Sequence, residues 1–180
     1  MKYVKYGQQL PVRVEVLTEQ NSHLTRKFFC GNPSIDTYFR CDALDDATAV
    51  TYLIVEELNE KLLAALTISC SAIFLSKKQQ FSTLMSAIEV VYFAVDVDYQ
   101  GLPYRPDDER SLSHYLFSYL IEMIRSISRS HVGAAKIVLY SVPEARNFYT
   151  RLGFKLFDRN MYGDRGTFVS DCKPMYFDLN

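Results

Sequence analysis

The chain has 180 residues, 48% of them hydrophobic and 14% aromatic, with thirteen Tyr, twelve Phe and no Trp. That length and composition suit one well-buried domain over residues 1–180 and exclude a disordered chain. A net charge of −1 gives no global basic field to draw in nucleic acid.

The first residues, Met1-Lys2-Tyr3-Val4-Lys5-Tyr6, lack the apolar run of a signal peptide. The longest apolar stretches are strand-length, far short of a membrane span, so a cytoplasmic protein with no membrane partner is expected. Cys30, Cys41, Cys70 and Cys172 are scattered with no Cys-x-x-Cys pair. Buried free thiols are expected rather than disulfides or zinc ligands. The histidines have no ligand spacing, and no metal site is expected.

Residues 12–17 alternate apolar with charged side chains, as a half-buried strand does. Residues 18–27 are polar and read as loop or a short helix. Gly31 and Asn32 supply a turn, Pro33 fits a first helical position, and Ile35, Phe39 and Ala43 recur at helical spacing toward Asp46. Residues 48–56 and 62–71 are β-branched apolar runs around the polar stretch 57–61, which predicts two antiparallel strands. Residues 73–85 are mixed, with Lys77-Lys78-Gln79-Gln80 as a solvated loop.

Residues 88–95 are almost unbroken apolar, the pattern of a strand covered on both faces. Asp96, Asp98 and Gly101 break it, and a loop with two prolines leads to a long amphipathic helix. Leu112, Tyr115, Leu116, Tyr119, Leu120, Met123, Ile124 and Ile127 keep to one face of that helix, and His131-Val132-Gly133 ends it. A buried strand, an irregular loop and a helix N-terminus form a frequent site for a phosphate-bearing ligand, because unpaired helix N–H groups point into the loop. Residues 136–140 read as a strand. A short helix follows from Pro143 to Arg151 with Gly153 as its C-terminal cap. Residues 154–158 and 174–179 are two last strands around the polar loop 159–173. The order β, α, β, β, β, α, β, α, β, β is a mixed α/β sheet with helices on both faces.

That order and two local patterns resemble the Gcn5-related N-acetyltransferase (GNAT) superfamily. The stretch Glu144-Ala145-Arg146-Asn147-Phe148-Tyr149-Thr150-Arg151-Leu152-Gly153-Phe154 looks like the family's late Ala-x-x-Phe-Tyr-x-x-x-Gly-Phe signature, at the expected topological place. Val95-Asp96-Val97-Asp98-Tyr99-Gln100-Gly101 resembles the strand leading into the acetyl-CoA pyrophosphate loop. Across residues 28–55, Phe29-Cys30-Gly31, Ile35-Asp36, Tyr38-Phe39-Arg40 and Thr51-Tyr52 look like the opening of acetyltransferases from bacterial toxin–antitoxin pairs. The resemblance implies a GNAT-like, mostly antiparallel central sheet flanked by helices, with acetyl-CoA as cosubstrate.

The loop departs from the family. Its members continue with Gln/Arg-x-x-Gly-x-Gly/Ala, whose glycines let backbone N–H groups close on a diphosphate. Here Gln100 and Gly101 are followed by Leu102-Pro103-Tyr104-Arg105-Pro106-Asp107-Asp108-Glu109-Arg110. The prolines have no N–H to donate, and three consecutive acids repel a diphosphate. In one reading residues 102–109 are an insertion, and the cradle is rebuilt at Arg110, Ser111, Leu112 and Ser113 with help from Arg105. In the other, Asp107, Asp108 and Glu109 cap the helix themselves and the CoA site is lost.

Acetyl transfer from a thioester to an amine needs a deprotonated amine, a stabilised oxyanion and a proton for the leaving thiolate. The resemblance makes Tyr149 the candidate general acid. Glu89 is a candidate base acting through water, with a solvated strand-end carboxylate as the alternative reading, and Glu56 is a second candidate. Phe93, Ala94 and Val95 would pair their backbone with the pantetheine arm, Gln100 and Gly101 would open the phosphate loop, and Ser141 and Phe148 would flank the cofactor. Three functions follow: an N-acetyltransferase acting on a primary amine of a small molecule or protein, a toxin that acetylates charged tRNA, and a non-catalytic member of the fold. Nucleic acid is expected as a partner only under the toxin reading, and a homodimer stays open.

Overall fold

The alternating and continuous apolar runs fold as strands, and the periodic stretches between them as helices. In this computed structural model, which describes residues 2–5, 8–77, 80–104, 110–163 and 171–179, the strands are β1 (Lys2–Lys5), β2 (Gln8–Val16), β3 (Ala49–Glu56), β4 (Lys61–Lys77), β5 (Gln80–Val95), β6 (Lys136–Ser141), β7 (Lys155–Leu156), β8 (Met161–Gly163) and β9 (Lys173–Asp178). The α-helices are α1 (Pro33–Thr37), α2 (Leu112–Ile127) and α3 (Arg146–Arg151). Hydrogen bonding orders the strands β1-β2-β3-β4-β5-β6-β9-β7, with β8 on β4. β5 and β6 run parallel, whereas β1–β2, β2–β3, β4–β8, β6–β9 and β7–β9 are antiparallel. Among the described residues no helix is long and apolar enough to cross a membrane.

The chain divides into two compact units. The first comprises Met1–Ile68 and Tyr92–Phe117. In it β2 pairs with β3 from Val12 opposite Glu56 to Val16 opposite Tyr52. Its core joins Leu17, Leu24, Phe28, Phe39, Ala43, Leu53, Val55, Leu62, Ala65 and Ala94, each large side chain worth roughly 1.5–3 kcal/mol of burial. Asn32 caps α1, its side chain accepting from the N–H groups of Ser34 and Ile35, with Pro33 at the first helical position as expected. The regular helix is shorter than the spacing predicts. Tyr38–Asp42 forms a wider π turn, closed by Ala43 N–H on the Tyr38 carbonyl. That turn lets consecutive aromatic residues both pack: Tyr38 lies 4.4 Å from Tyr92, and Phe39 meets Phe28 edge-on at 5.6 Å.

The second unit comprises Ser69–Val91 and Ser118–Asn180. β6 lies in it between β5, paired from Ala87 opposite Lys136 to Val90 opposite Leu139, and β9. Ile73, Ala87, Val138 and Tyr176 form its packed cluster, joined by Leu75, Met85, Tyr140, Phe157 and Met161. Here the sequence misleads. Residues 73–77 and 80–85 are strand, continuing β4 and beginning β5. Ile73, Leu75 and Met85 join the packed cluster, whereas Leu84 is exposed, as alternate faces of a strand allow. The loop expected at 159–173 carries β8, whose Met161 stands opposite Leu75. The strand expected at 154–158 is only the two residues of β7.

Along α2 the buried side chains are Leu112, Leu116, Phe117, Leu120, Ile121 and Ile124. The stripe is therefore rotated from the expected one, and Tyr119 is 41% exposed. A second π turn, Ser128–Val132, continues the helix. Gly133 then ends it at φ 63°, the left-handed conformation a C-terminal glycine permits.

Candidate active site

The exit of β5 is built from backbone up. Asp96, 4% exposed, accepts from the N–H of Asp98 at 3.1 Å and of Phe29 at 3.4 Å, and Lys61 Nζ lies 3.8 Å away. Val97 N–H donates to the Phe29 carbonyl at 2.9 Å. The Gln100 amide donates to the carbonyls of Cys30 and Val95, both at 2.8 Å. Gly31, at φ 86°, brings its backbone against Val97, where an added Cβ would stand 3.5 Å from the Val97 side chain. Two sequence patterns that are far apart in the chain, 29–31 and 95–101, thus form one hydrogen-bonded corner. Gly101 closes it at φ 70°, a conformation that costs a residue with Cβ about 1 kcal/mol or more.

Beyond that corner the loop pinches shut. Leu112 N–H donates to the Leu102 carbonyl at 2.7 Å, and Tyr104 N–H to the Arg110 carbonyl at 3.2 Å. Pro103 and Ser111 form an antiparallel bridge between these bonds. Arg105, Pro106, Asp107, Asp108 and Glu109, on which the self-capping reading turns, lie outside the described residues. Ser111 caps α2: its carbonyl accepts from His114 N–H at 3.1 Å and Tyr115 N–H at 3.4 Å, and its hydroxyl from His114 N–H at 3.3 Å. Arg110, exposed, donates from Nη2 to the Tyr115 hydroxyl and lies 4.6 Å over that ring. Tyr104 stacks on Tyr115 at 3.6 Å. Leu112 is buried, Ser113 half-buried. On β5, Ala94 and Val95 are buried, while Phe93 packs edge-on against Phe117 at 4.7 Å. The β5–β6 ladder ends at Val90, whereas β5 runs on to Val95.

The second unit holds Glu89, Ser141, Phe148 and Tyr149. Glu89 stands opposite Val138 in the parallel ladder and is 3% exposed. A solvated strand-end carboxylate is therefore wrong: Glu89 is buried in a strand interior. Ser141, at the end of β6, is buried and donates its hydroxyl to the Val142 carbonyl at 2.9 Å. Tyr149 lies on α3, its ring 5.2 Å from Phe148 and 5.8 Å from Phe154. Its carbonyl receives the N–H groups of Leu152 and Phe154 at 3.1 and 3.0 Å, so the turn through Gly153, at φ 94°, fixes the helix end that carries it. Burial pushes the Tyr149 phenol up to about 12. It remains a protonated donor throughout the physiological range.

Within the first unit, Glu56 is buried and accepts from Tyr99 at 3.3 Å and from Asn59, a carboxylate committed to holding its strand end. The four thiols are free, as expected, but not buried: Cys41 and Cys70 are exposed and Cys30 and Cys172 half-buried. Sequence reasoning missed Tyr104 and Tyr115 as a pair. The available signal was an aromatic residue on each side of the Pro106-Asp107-Asp108-Glu109 run.

No protein-family model matches the chain, and no curated protein matches it. Solved structures do. The architecture is a GNAT-like fold, a mixed, mostly antiparallel sheet with flanking helices, shared with solved structures of bacterial toxins. A Tyr→Phe form of KacT superposes with a TM-score of 0.69 at 19% identity, over 93% of this chain and 95% of that one. AtaT complexed with acetyl-methionyl-tRNAfMet gives 0.69 at 16% identity, over 93% and 95%. A Tyr→Phe AtaT toxin bound to the C-terminus of the antitoxin AtaR and acetyl-CoA gives 0.66 at 17%, over 93% of each chain.

Proposed function

We propose that this chain is an acetyl-CoA-dependent N-acetyltransferase acting on a primary amine by direct attack, with Tyr149 as general acid. The observation that carries the reading is the place of the motif tyrosine: it sits at the helix end fixed by the turn through Gly153, its carbonyl accepting from Leu152 and Phe154. The amine nitrogen attacks the thioester carbonyl and forms a C–N bond. The C–S bond breaks, the CoA thiolate takes the Tyr149 proton, and the amine's proton leaves through water toward Glu89.

The remaining roles follow from position. The end of β5, past its ladder with β6, offers the backbone of Phe93, Ala94 and Val95 to the pantetheine amides. The phosphates would meet Arg110 and the first turn of α2 at Ser111 and Ser113, after the Gln100–Gly101 corner; Leu112, expected there too, is buried and gives its N–H to Leu102. Ser141 and Phe148 would line the cofactor. The fit rests on the pinched loop: with Leu102 bonded to Leu112, the main path of the chain passes from the corner into α2 as a short loop would.

A second reading of the acceptor has its own support. A chain of this fold has been seen as a complex with acetyl-methionyl-tRNAfMet, and residues 28–55 resemble the opening of toxin acetyltransferases. The amine would then be the α-amino group of an aminoacyl-tRNA, and an antitoxin would be the protein partner. Label transfer from acetyl-CoA to aminoacyl-tRNA, set against peptide and polyamine amines, separates the two. Growth arrest on expression that Tyr149→Phe relieves supports the toxin. Harmless expression with labelled peptide or polyamine supports the broader enzyme. A folded wild type that binds no acetyl-CoA would leave a non-catalytic binding module.

A further inference from the structure

We propose that Tyr104 and Tyr115 are positioning residues that hold the Arg110 guanidinium at the first turn of α2, where it meets a phosphate of CoA. The inference rests on the acetyltransferase reading and assigns what replaces the missing glycines.

A glycine-rich loop grips a diphosphate with backbone N–H groups. Around this loop, the N–H groups of Tyr104 and Leu112 are already given to Arg110 and Leu102, and that of His114 to Ser111. The backbone here therefore has less to offer, and a side-chain cation has to supply the difference. Arg110 is where the chain re-enters the helix. An unrestrained arginine loses considerable rotamer freedom on binding an anion. Here Tyr115 holds the guanidinium in two ways before any anion arrives: by the face of its ring at 4.6 Å and by a hydrogen bond to its hydroxyl. Tyr115 is fixed in turn by Tyr104, stacked at 3.6 Å with 21° between planes. Tyr104 itself is tied to Arg110 by its backbone N–H. The three residues thus lock one another, and the lock closes on the two flanks of the loop, 102–104 and 110–112.

The expected behaviour is a phosphate-specific loss. Tyr115→Phe keeps the ring and the stack but removes the hydrogen bond to Arg110. It should weaken acetyl-CoA binding about fivefold, and Arg110→Ala about twentyfold, both as a raised KM with kcat unchanged. S-acetyl-pantetheine, which lacks the nucleotide diphosphate, should be used equally well by wild type and variants. The double variant Arg110→Ala, Tyr115→Phe should bind no worse than Arg110→Ala alone, because the hydroxyl acts through the guanidinium. Equal losses toward acetyl-CoA and S-acetyl-pantetheine, additive losses in the double variant, or no loss in either single variant would each overturn the proposal while leaving the enzyme intact. A folded wild type that binds neither compound would overturn the acetyltransferase reading, and the proposal with it.

Discussion

Leu112 gives its backbone N–H to the carbonyl of Leu102 at 2.7 Å, and that bond ties the two flanks of the two-proline stretch together. Two prolines and three acids lie in the sequence between these flanks, where the acetyl-CoA reading proposed above would place a diphosphate. Tying the flanks keeps the corner at Gln100–Gly101 close to the start of α2, and loop length beyond such a tie changes closure entropy only slowly.

It follows that residues 105–109 can be replaced by Asn-Gly, the two-residue turn that suits an antiparallel hairpin. The shortened protein should melt within about 3 °C of wild type, since loop length changes closure entropy only slowly. Its acetyl-CoA affinity should stay within about threefold of wild type. Thermal unfolding and calorimetric titration measure both, and an unfolded product would show that the base of the loop does not close by itself.

Tyr149→Phe should lower kcat about a hundredfold with acetyl-CoA affinity unchanged. The folded-state pKa of about 12 also fixes the sign of a pH effect. The phenol ordinarily titrates near 10, so the folded chain holds the proton more tightly than the unfolded chain. Its stabilising contribution is complete below pH 10 and is lost as the pH climbs from 10 toward 12. Tyr38, desolvated and hydrogen-bonded to Asp46, is raised to about 12 as well and adds to the same alkaline loss. Urea midpoints between pH 9 and 11.5 should therefore fall less steeply for Tyr149→Phe than for wild type.

Asp96 and Asp36 are both buried, yet amidation should cost stability at Asp96 and little or nothing at Asp36. Asp96 takes two backbone N–H groups on its two oxygens and faces Lys61. Asp96→Asn turns one acceptor into a donor and should cost about 2 kcal/mol. Asp36, 0% exposed, accepts only the Cys30 N–H on Oδ1, and its Oδ2 takes no hydrogen bond among the described residues. Asp36→Asn can keep that bond and removes a buried charge, so its stability should remain within about 1 kcal/mol of wild type. Asp36→Ala, which strands the Cys30 N–H, should cost about 2 kcal/mol. Denaturant titration of the three variants decides it.

Gly153→Ala should be destabilising by about 1–2 kcal/mol, because φ is 94° and the added Cβ would stand 3.3 Å from the Phe177 ring. If the glycine's function is to fix Tyr149, kcat should fall in the same variant while acetyl-CoA binding is retained. A loss of stability alone would reduce Gly153 to a fold residue.

What the sequence determined is what local chemistry decides. The almost unbroken apolar run 88–95 reads as an interior strand, and there Ile88, Glu89, Val90, Ala94 and Val95 are buried. Pro33 after Asn32 marked a helix start because proline fits the first turn and Asn caps it, and Gly133 and Gly153 marked helix ends because both take left-handed φ. The motif around Tyr149 identified the fold for a similar reason: its spacing follows one helix and its cap. The tertiary structure alone decided the rest. Glu89 sits in an apolar strand whose sequence cannot say which neighbours desolvate it. Tyr119 belongs to the helical period but not to the buried stripe, since a phenol at the stripe's margin keeps its polar end in water. Above all, the fate of the loop depended on whether Leu102 and Leu112 meet. That is a backbone-to-backbone hydrogen bond between residues ten apart, made from groups every residue carries, and so it leaves no mark in the identity of the side chains.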